Sequence, residues 1–323
     1  MTEYLIRRLL QSVLVLFLIS VLTFIMIHAA PGGPTQMFLG PGLSPEVAKV
    51  QAHNLGLDRP IPVQFTIWLG GLLKGDLGYT FKNHIPVGDI LWPTVKNTMV
   101  LMGAAWFLSL LIAIPWGIYN STVEYGFSDQ TASFISYIGF AMPTFWFGII
   151  LQEYFALKLN ILPLSDMYTM GKEGNLIDLF LHLILPVSVL TLGFLASYSK
   201  YARSSMLEVL NQDYIRTARA KGLRERKVIF RHALRNALIP IITILGLDLP
   251  ILVSGAVLTE SVFNWPGMGR LFVVMAVARE YSVLMSITLI VSLIVVIGNL
   301  IADILYAIVD PRVQLGREGG SAT

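Results

Sequence analysis

The 323 residues contain no cysteine and little charge. Without cysteine there is no disulfide framework, no thiolate metal site and no thiol nucleophile. The lack fits a protein facing an oxidising compartment without requiring one. Charged residues make up 13% of the chain and apolar residues 55%. A soluble domain carries about 25% charged residues, so this chain has too little charge to wet the surface of a globule. Disorder is excluded on the same ground, because it needs low hydrophobicity and high charge. The mean hydropathy is +0.68. Enzyme signatures are missing too. His28, His53, His84, His182 and His232 are scattered without metal-ligand spacing. There is no His-Glu-x-x-His pair and no Gly-x-Ser-x-Gly elbow. The run from Gly70 to Asp76 lacks the spacing and the ending of a phosphate loop.

What the chain does have is long uncharged runs. A spanning helix needs about 20 mostly apolar residues. Six runs qualify: Leu9 to Ala30, Asn97 to Val123, Gln130 to Gln152, Leu179 to Ser199, Asn236 to Thr259 and Tyr281 to Ala302. The first follows Arg7 and Arg8 but is long for a signal peptide, and Pro31 directly after Ala29-Ala30 makes a poor cleavage site. It reads as a retained helix. Pro115, Pro143, Pro186, Pro240 and Pro250 fall inside the runs. Membrane helices tolerate proline where neighbours satisfy the freed carbonyls, so the runs predict kinked helices packed as a bundle. Continuous rather than alternating hydrophobicity excludes a transmembrane barrel.

Charge placement orients the bundle. Ser199 to Arg235 carries ten Lys/Arg against Glu208, Asp213 and Glu225. By the positive-inside rule this loop is cytoplasmic, and with six spans both termini share its side. The stretch from Pro31 to Lys96 then lies outside, with five basic and four acidic residues. Asn120 to Asp129 disagrees mildly, being a cytoplasmic loop with two acids and no base. The outer stretch predicts a capped short helix from Ser44, an extended segment from Pro60 to Phe65, and an amphipathic segment from Phe65 to Leu73 along the membrane interface. The division predicted is a cytoplasmic segment 1–8, a first span 9–30, an extracytoplasmic segment 31–96, a transmembrane core 97–309 with a cytoplasmic loop 200–235, and a cytoplasmic tail 310–323. The basic run sits between spans with few interleaved aromatics, which argues against nucleic acid and for lipid headgroups or a protein partner.

Two further features are legible. Asp248 is the only charge between Asn236 and Thr259. An acid deep in a span is costly and marks a functional site by default, and Gly246 and Pro250 loosen its helix. Glu260 to Gly269 contains a Trp265-Pro266-Gly267 turn, followed by the apolar stretch Leu271 to Val277, too short to span. This predicts a re-entrant or interfacial scoop, with Glu260 and Arg270 paired across the turn.

The loop Asp213-Tyr214-Ile215-Arg216-Thr217-Ala218-Arg219-Ala220-Lys221-Gly222-Leu223, continued by Arg231-His232-Ala233-Leu234-Arg235-Asn236-Ala237-Leu238, resembles the coupling loop of ABC importer permeases. It departs from the general motif: Arg216 stands at the glutamate position, Thr217 at the first alanine, and Arg235 where proline is common. Those departures are similar to the dipeptide, oligopeptide and nickel branch. Leu55-Gly56-Leu57-Asp58-Arg59-Pro60, Pro143-Thr144-Phe145-Trp146 and Asp310-Pro311-Arg312 agree with that branch, and the long outer segment resembles its B-type subunit.

The resemblance implies an all-α integral membrane protein of type I ABC importer permease architecture. It implies ATP-driven import of peptides, with nickel as the alternative cargo. A proton- or sodium-coupled secondary transporter is the alternative of another class; Asp248 suits it, but the lack of a repeat pair does not. The implied partners are a C-type permease subunit, two ATPase subunits that hold ATP and Mg²⁺, and an extracytoplasmic peptide-binding protein. This chain would bind no cofactor or metal and catalyse nothing. Arg216, Thr217, Ala218, Arg219, Lys221, Gly222 and Leu223 would couple it to an ATPase, with Ala218 facing the ATPase groove. Asp248, Gly246 and Pro250 would border the path, and Glu260, Trp265, Gly267 and Arg270 would form an outer gate.

The topology is checked by cysteine labelling, since the native chain has none. Gly70→Cys should react with an impermeant reagent added outside, and Arg219→Cys and Thr323→Cys only from the cytoplasm. Labelling of Gly70→Cys from the cytoplasmic side alone would sink the six-span arrangement.

Overall fold

The computed structural model describes residues 2–29, 50, 53, 56, 58–80 and 82–309. The predicted helix from Ser44 and the tail 310–323 fall almost wholly outside these. Every regular element described is helical, apart from a single bridge between Tyr79 and Pro86. Five helices are long and apolar enough to cross a membrane, and a bent pair makes a sixth.

The first is α1, Thr2–Ala29. Against it lies α2, Ile61–Leu73. Helix there replaces the predicted extended segment from Pro60 to Phe65. Proline is pre-set for the first helical turn, where its missing N–H costs nothing, and Pro62 sits there. Phe24 of α1 packs on Phe65 and Trp68 of α2 at ring distances of 5.3 and 5.6 Å. His28 meets Gln64 at 3.1 Å.

The centre is a pair of long helices, α3 (Val87–Thr122) and α6 (Leu176–Leu210). α3 starts ten residues before the uncharged run, because Asp89 and Lys96 ride on its first turns. Pro93, Pro115 and Pro186 lie inside these helices without ending them. The pair touches backbone to backbone at Gly117, where an added Cβ would lie 2.6 Å from both the Ala202 Cβ and the Ser199 carbonyl oxygen. Small residues allow such approaches and so favour packing between membrane helices.

The third predicted span, Gln130 to Gln152, is two helices. α4 (Phe127–Ala141) and α5 (Thr144–Leu151, running on as a π-helix Gln152–Lys158) meet at 102°. Proline pushes the residue before it out of the helical region, and Met142 before Pro143 is extended, with ψ 121°. Gly139 seats α4 on α6, its Cβ direction 3.1 Å from the Leu192 carbonyl oxygen. Asp129, the acid that disturbed the charge pattern, is answered by Arg203 of α6, with Nη2 donating to Oδ2 at 2.8 Å.

After α6 comes the short α7, Asp213–Ala220. The chain then turns back as Glu225–Lys227, a π-helical stretch Val228–Ala233 and α8, Leu234–Ser254. The predicted fifth span ended at Thr259; α8 stops five residues earlier. Gly255 has φ 83° and ψ 162°, a conformation essentially restricted to glycine. Two short helices follow, α9 (Val257–Val262) and α10 (Met268–Ala278), and then α11, Tyr281–Val309. Val87, Leu91 and Val95 of α3 form one core with Met268, Leu271, Val283, Ile287 and Ile290.

Two glycines of α3 test the packing. Gly117→Val drives two methyls into Ala202, and overpacking costs about 1–3 kcal/mol. Gly103 has no atom within 4 Å of its Cβ direction, so Gly103→Ala should be harmless. The expected result is a lower melting temperature in detergent for Gly117→Val and an unchanged or higher one for Gly103→Ala. Equal melting temperatures would contradict a direct contact at Gly117.

Candidate functional site

Three constellations are distributed along the bundle. α7 stands at the Leu210 end of α6. The α9–α10 turn packs on α6 around Val187, 23 residues or roughly 35 Å along the helix from Leu210 at ~1.5 Å per residue. Asp248 lies between them.

α7 is amphipathic and two-sided. Ile215 and Ala218 are buried, packed with Met206 of α6, Val228 and Ala233 of the π-helical stretch, and Ala237 of α8. Asp213, Arg216, Thr217 and Lys221 are exposed. The expectation that Ala218 faces an ATPase groove is therefore corrected: at helical spacing from Ile215 its methyl falls on the inner stripe. The helix ends on a Schellman cap. Gly222 has φ 71°; its N–H donates to the Arg219 carbonyl at 2.9 Å, and the Leu223 N–H donates to that of Ala218 at 3.4 Å. Leu223 packs on the same core, which completes the hydrophobic part of the motif. A Cβ at Gly222 would meet nothing within 4 Å, so backbone conformation alone demands glycine.

The charged residues of the loop pair locally. Arg219 Nη2 donates to Glu225 Oε1 at 2.7 Å across the turn. That hydrogen bond holds the Glu225 carboxyl below the usual glutamate range. The pair is therefore intact at neutral pH and is lost as pH falls through the lowered value. Arg216 lies 3.6 Å from Asp213, both side chains being exposed, an arrangement that contributes little. Lys200 and Arg203 belong to α6 itself, so the basic loop is mostly helix.

The α9–α10 turn is a knot around an acid. Glu260 is fully buried. Its Oε1 accepts from the Thr98 hydroxyl at 2.8 Å and its Oε2 from the backbone N–H of Arg270 at 3.0 Å. The predicted pairing with Arg270 thus runs through the main chain rather than the guanidinium. Room for the carboxylate comes from glycines: a Cβ at Gly267 would lie 2.5–2.6 Å from the carboxylate atoms, and one at Gly269 3.0 Å from Oε2. Trp265 is fully buried against Leu101, Ala105 and Val187. Its Nε1 donates to the Asn97 carbonyl at 2.9 Å, and Asn97 Nδ2 donates to that of Pro266 at 2.9 Å.

The loop between the π-helix and α6, unremarked in the sequence, ties into this knot. The Asp166 N–H donates to the Phe263 carbonyl at 2.8 Å, and Asn264 Nδ2 donates to Asp166 Oδ1. At the foot of α6, Asp178 accepts from the Thr169 N–H at 2.6 Å.

Of the three residues expected beside a path, Gly246 and Pro250 are buried, and Pro250 is pressed against Gly298 of α11. Only Asp248 presents a half-buried side chain. Its Oδ2 accepts from the Tyr198 hydroxyl at 2.6 Å, and that hydroxyl accepts from Trp106 Nε1 at 3.0 Å. Among the described residues no cluster of three metal-binding side chains occurs.

Comparison with known proteins gives the family. The family described as "Binding-protein-dependent transport system inner membrane component" matches residues 87–315, and its N-terminal companion matches residues 1–102. The oligopeptide transport system permease protein AppB of Bacillus subtilis is 44% identical over 97% of this chain and 100% of its own length. The dipeptide transport system permease protein DppB of Escherichia coli K12 is 36% identical over 97% and 99%. The MetNI methionine ABC transporter structure is similar in fold, with a TM-score of 0.57 and 16% identity over 70% of this chain and 98% of that one. The all-α fold, the spans and the match over most of its length agree that the chain is a multi-pass plasma-membrane protein and belongs to the inner membrane components of binding-protein-dependent, ABC-type transport systems.

Proposed function

We infer that the chain is the B-type transmembrane subunit of an ATP-driven peptide importer, and that α7 is where an ATPase subunit docks. The peptide cargo is suggested by the relatives named as oligopeptide and dipeptide permeases. In this reading the chain catalyses nothing itself. A C-type permease completes the path, two ATPase subunits hold ATP and Mg²⁺, and an extracytoplasmic peptide-binding protein delivers the cargo. The termini and the loop 200–235 face the cytoplasm. The α9–α10 knot, with Glu260, Trp265, Gly267 and Arg270, stands at the outer gate, and Asp248 borders the path.

The two-sided build of α7 carries this reading. Its outer face offers Arg216, Thr217 and Lys221 to an acidic groove, while Ile215 and Ala218 bolt its inner face to two spanning helices. A push on α7 therefore reaches α6 and α8 together as a rigid-body movement. Arg219 and Leu223 brace the loop from within, and Gly222 sets its angle.

Gly222 provides the test. A β-branched residue in the left-handed region costs roughly 1–2 kcal/mol, whereas asparagine visits it at smaller cost. Gly222→Val should insert in the membrane and keep its C-type partner, yet co-purify poorly with the ATPase and lose about tenfold or more of its ATP-driven peptide uptake. Gly222→Asn should retain most uptake. Normal uptake by Gly222→Val would make the loop an anchor only.

A further inference from the structure

Trp106, Tyr198 and Asp248 form a hydrogen-bonded file across α3, α6 and α8. Tyr198 lies 12 residues before Leu210 and 22 after Leu176, roughly 18 Å and 33 Å from the ends of α6 at ~1.5 Å per residue. The direction of the file is settled by chemistry. An indole N–H only donates, so the Tyr198 oxygen accepts from Trp106 and its own hydrogen goes to Asp248 Oδ2. Phe194 stacks on the Tyr198 ring, 5.9 Å away and nearly parallel, which limits its swing. The acid is thus held from one side only. Its other oxygen, Oδ1, has no hydrogen-bond donor among the described residues, and it is not sealed from the surroundings. No Lys, Arg or His lies within ion-pair distance among those residues. A carboxylate at membrane depth is costly unless something positive meets it, and the described residues supply nothing positive there.

We propose that Asp248 Oδ1 is a transient binding point for the N-terminal ammonium of the passing peptide, with Tyr198 as its positioning residue and Trp106 fixing Tyr198. The proposal rests on the peptide-importer reading above. Peptides of mixed sequence share few groups, and the free ammonium is the cation common to all of them. One open oxygen suits such a donor: it forms a single charge-assisted hydrogen bond, strong enough to orient the peptide and weak enough to release it.

The test uses the assembled importer and peptides without Lys, Arg or His. Asp248→Asn keeps the shape and can still accept from Tyr198, so folding should be preserved. It should raise the KM for uptake about tenfold, and Tyr198→Phe about threefold, with Vmax little changed in both. A photoreactive group beside the peptide's N-terminus should crosslink to the segments around Trp106, Tyr198 and Asp248, and the same group at the C-terminus should not. Unchanged KM in Asp248→Asn, or equal crosslinking from both peptide ends, overturns the proposal. Loss of the C-type subunit from Asp248→Asn also overturns it, by assigning the open oxygen to a contact between subunits. Failure of the unaltered importer to take up any peptide would instead refute the importer reading itself.

Discussion

The backbone contact between α3 and α6 is the constraint on which the rest of the structure depends. With no side chain at Gly117, the two longest helices meet directly. Their shared length then becomes the frame for everything else. α3 brings Asn97 and Thr98 to the α9–α10 knot and Trp106 to Tyr198. α6 brings Arg203 to α4, Tyr198 to α8 and Met206 to α7. Lipid offers no water to unsatisfied groups, so these polar side chains find partners on a neighbouring helix or on the α9–α10 turn, and the close spacing puts those partners in reach.

The knot shows the same economy in a different form. Burying an acid is tolerable only when its lone pairs are met. Glu260 has a hydroxyl and a backbone N–H for this purpose, in a space left open by glycines. Trp265 then plugs the turn into the centre of the bundle. The acid and the indole fix the turn between α9 and α10, and Met268 and Leu271 of α10 join the core with α3 and α11.

Much of this was legible in the sequence because it is local or periodic. Uncharged runs located the spans, and the Trp265-Pro266-Gly267 turn marked the break before the short apolar helix. What escaped was non-local or geometric. Met142-Pro143 read as one kink among several, yet there Met142 is extended and the chain bends by 102°, while Pro115 and Pro186 lie inside unbroken helices. Ala218 was expected to look outward, since a motif says which residues recur and not which way they point. Pairing of Glu260 with Arg270 was anticipated from opposite charges, but the partner is a main-chain N–H that carries no mark of side-chain type. Tyr198 and Trp106 lie 50 residues from Asp248 and 92 residues from Tyr198 respectively, and no periodicity links positions so distant.

The cap on α7 has a consequence for how this surface can change over time. Its shape is written in a backbone angle at Gly222 and in the inward pair Ile215 and Ala218. Arg216, Thr217 and Lys221 take no part in that packing. Their chemistry can drift, even reverse its charge, without a change in the fold that presents them. If α7 is the docking surface proposed above, recognition and stability are written in separate letters, and a lineage can exchange one partner for another while inheriting the same joint.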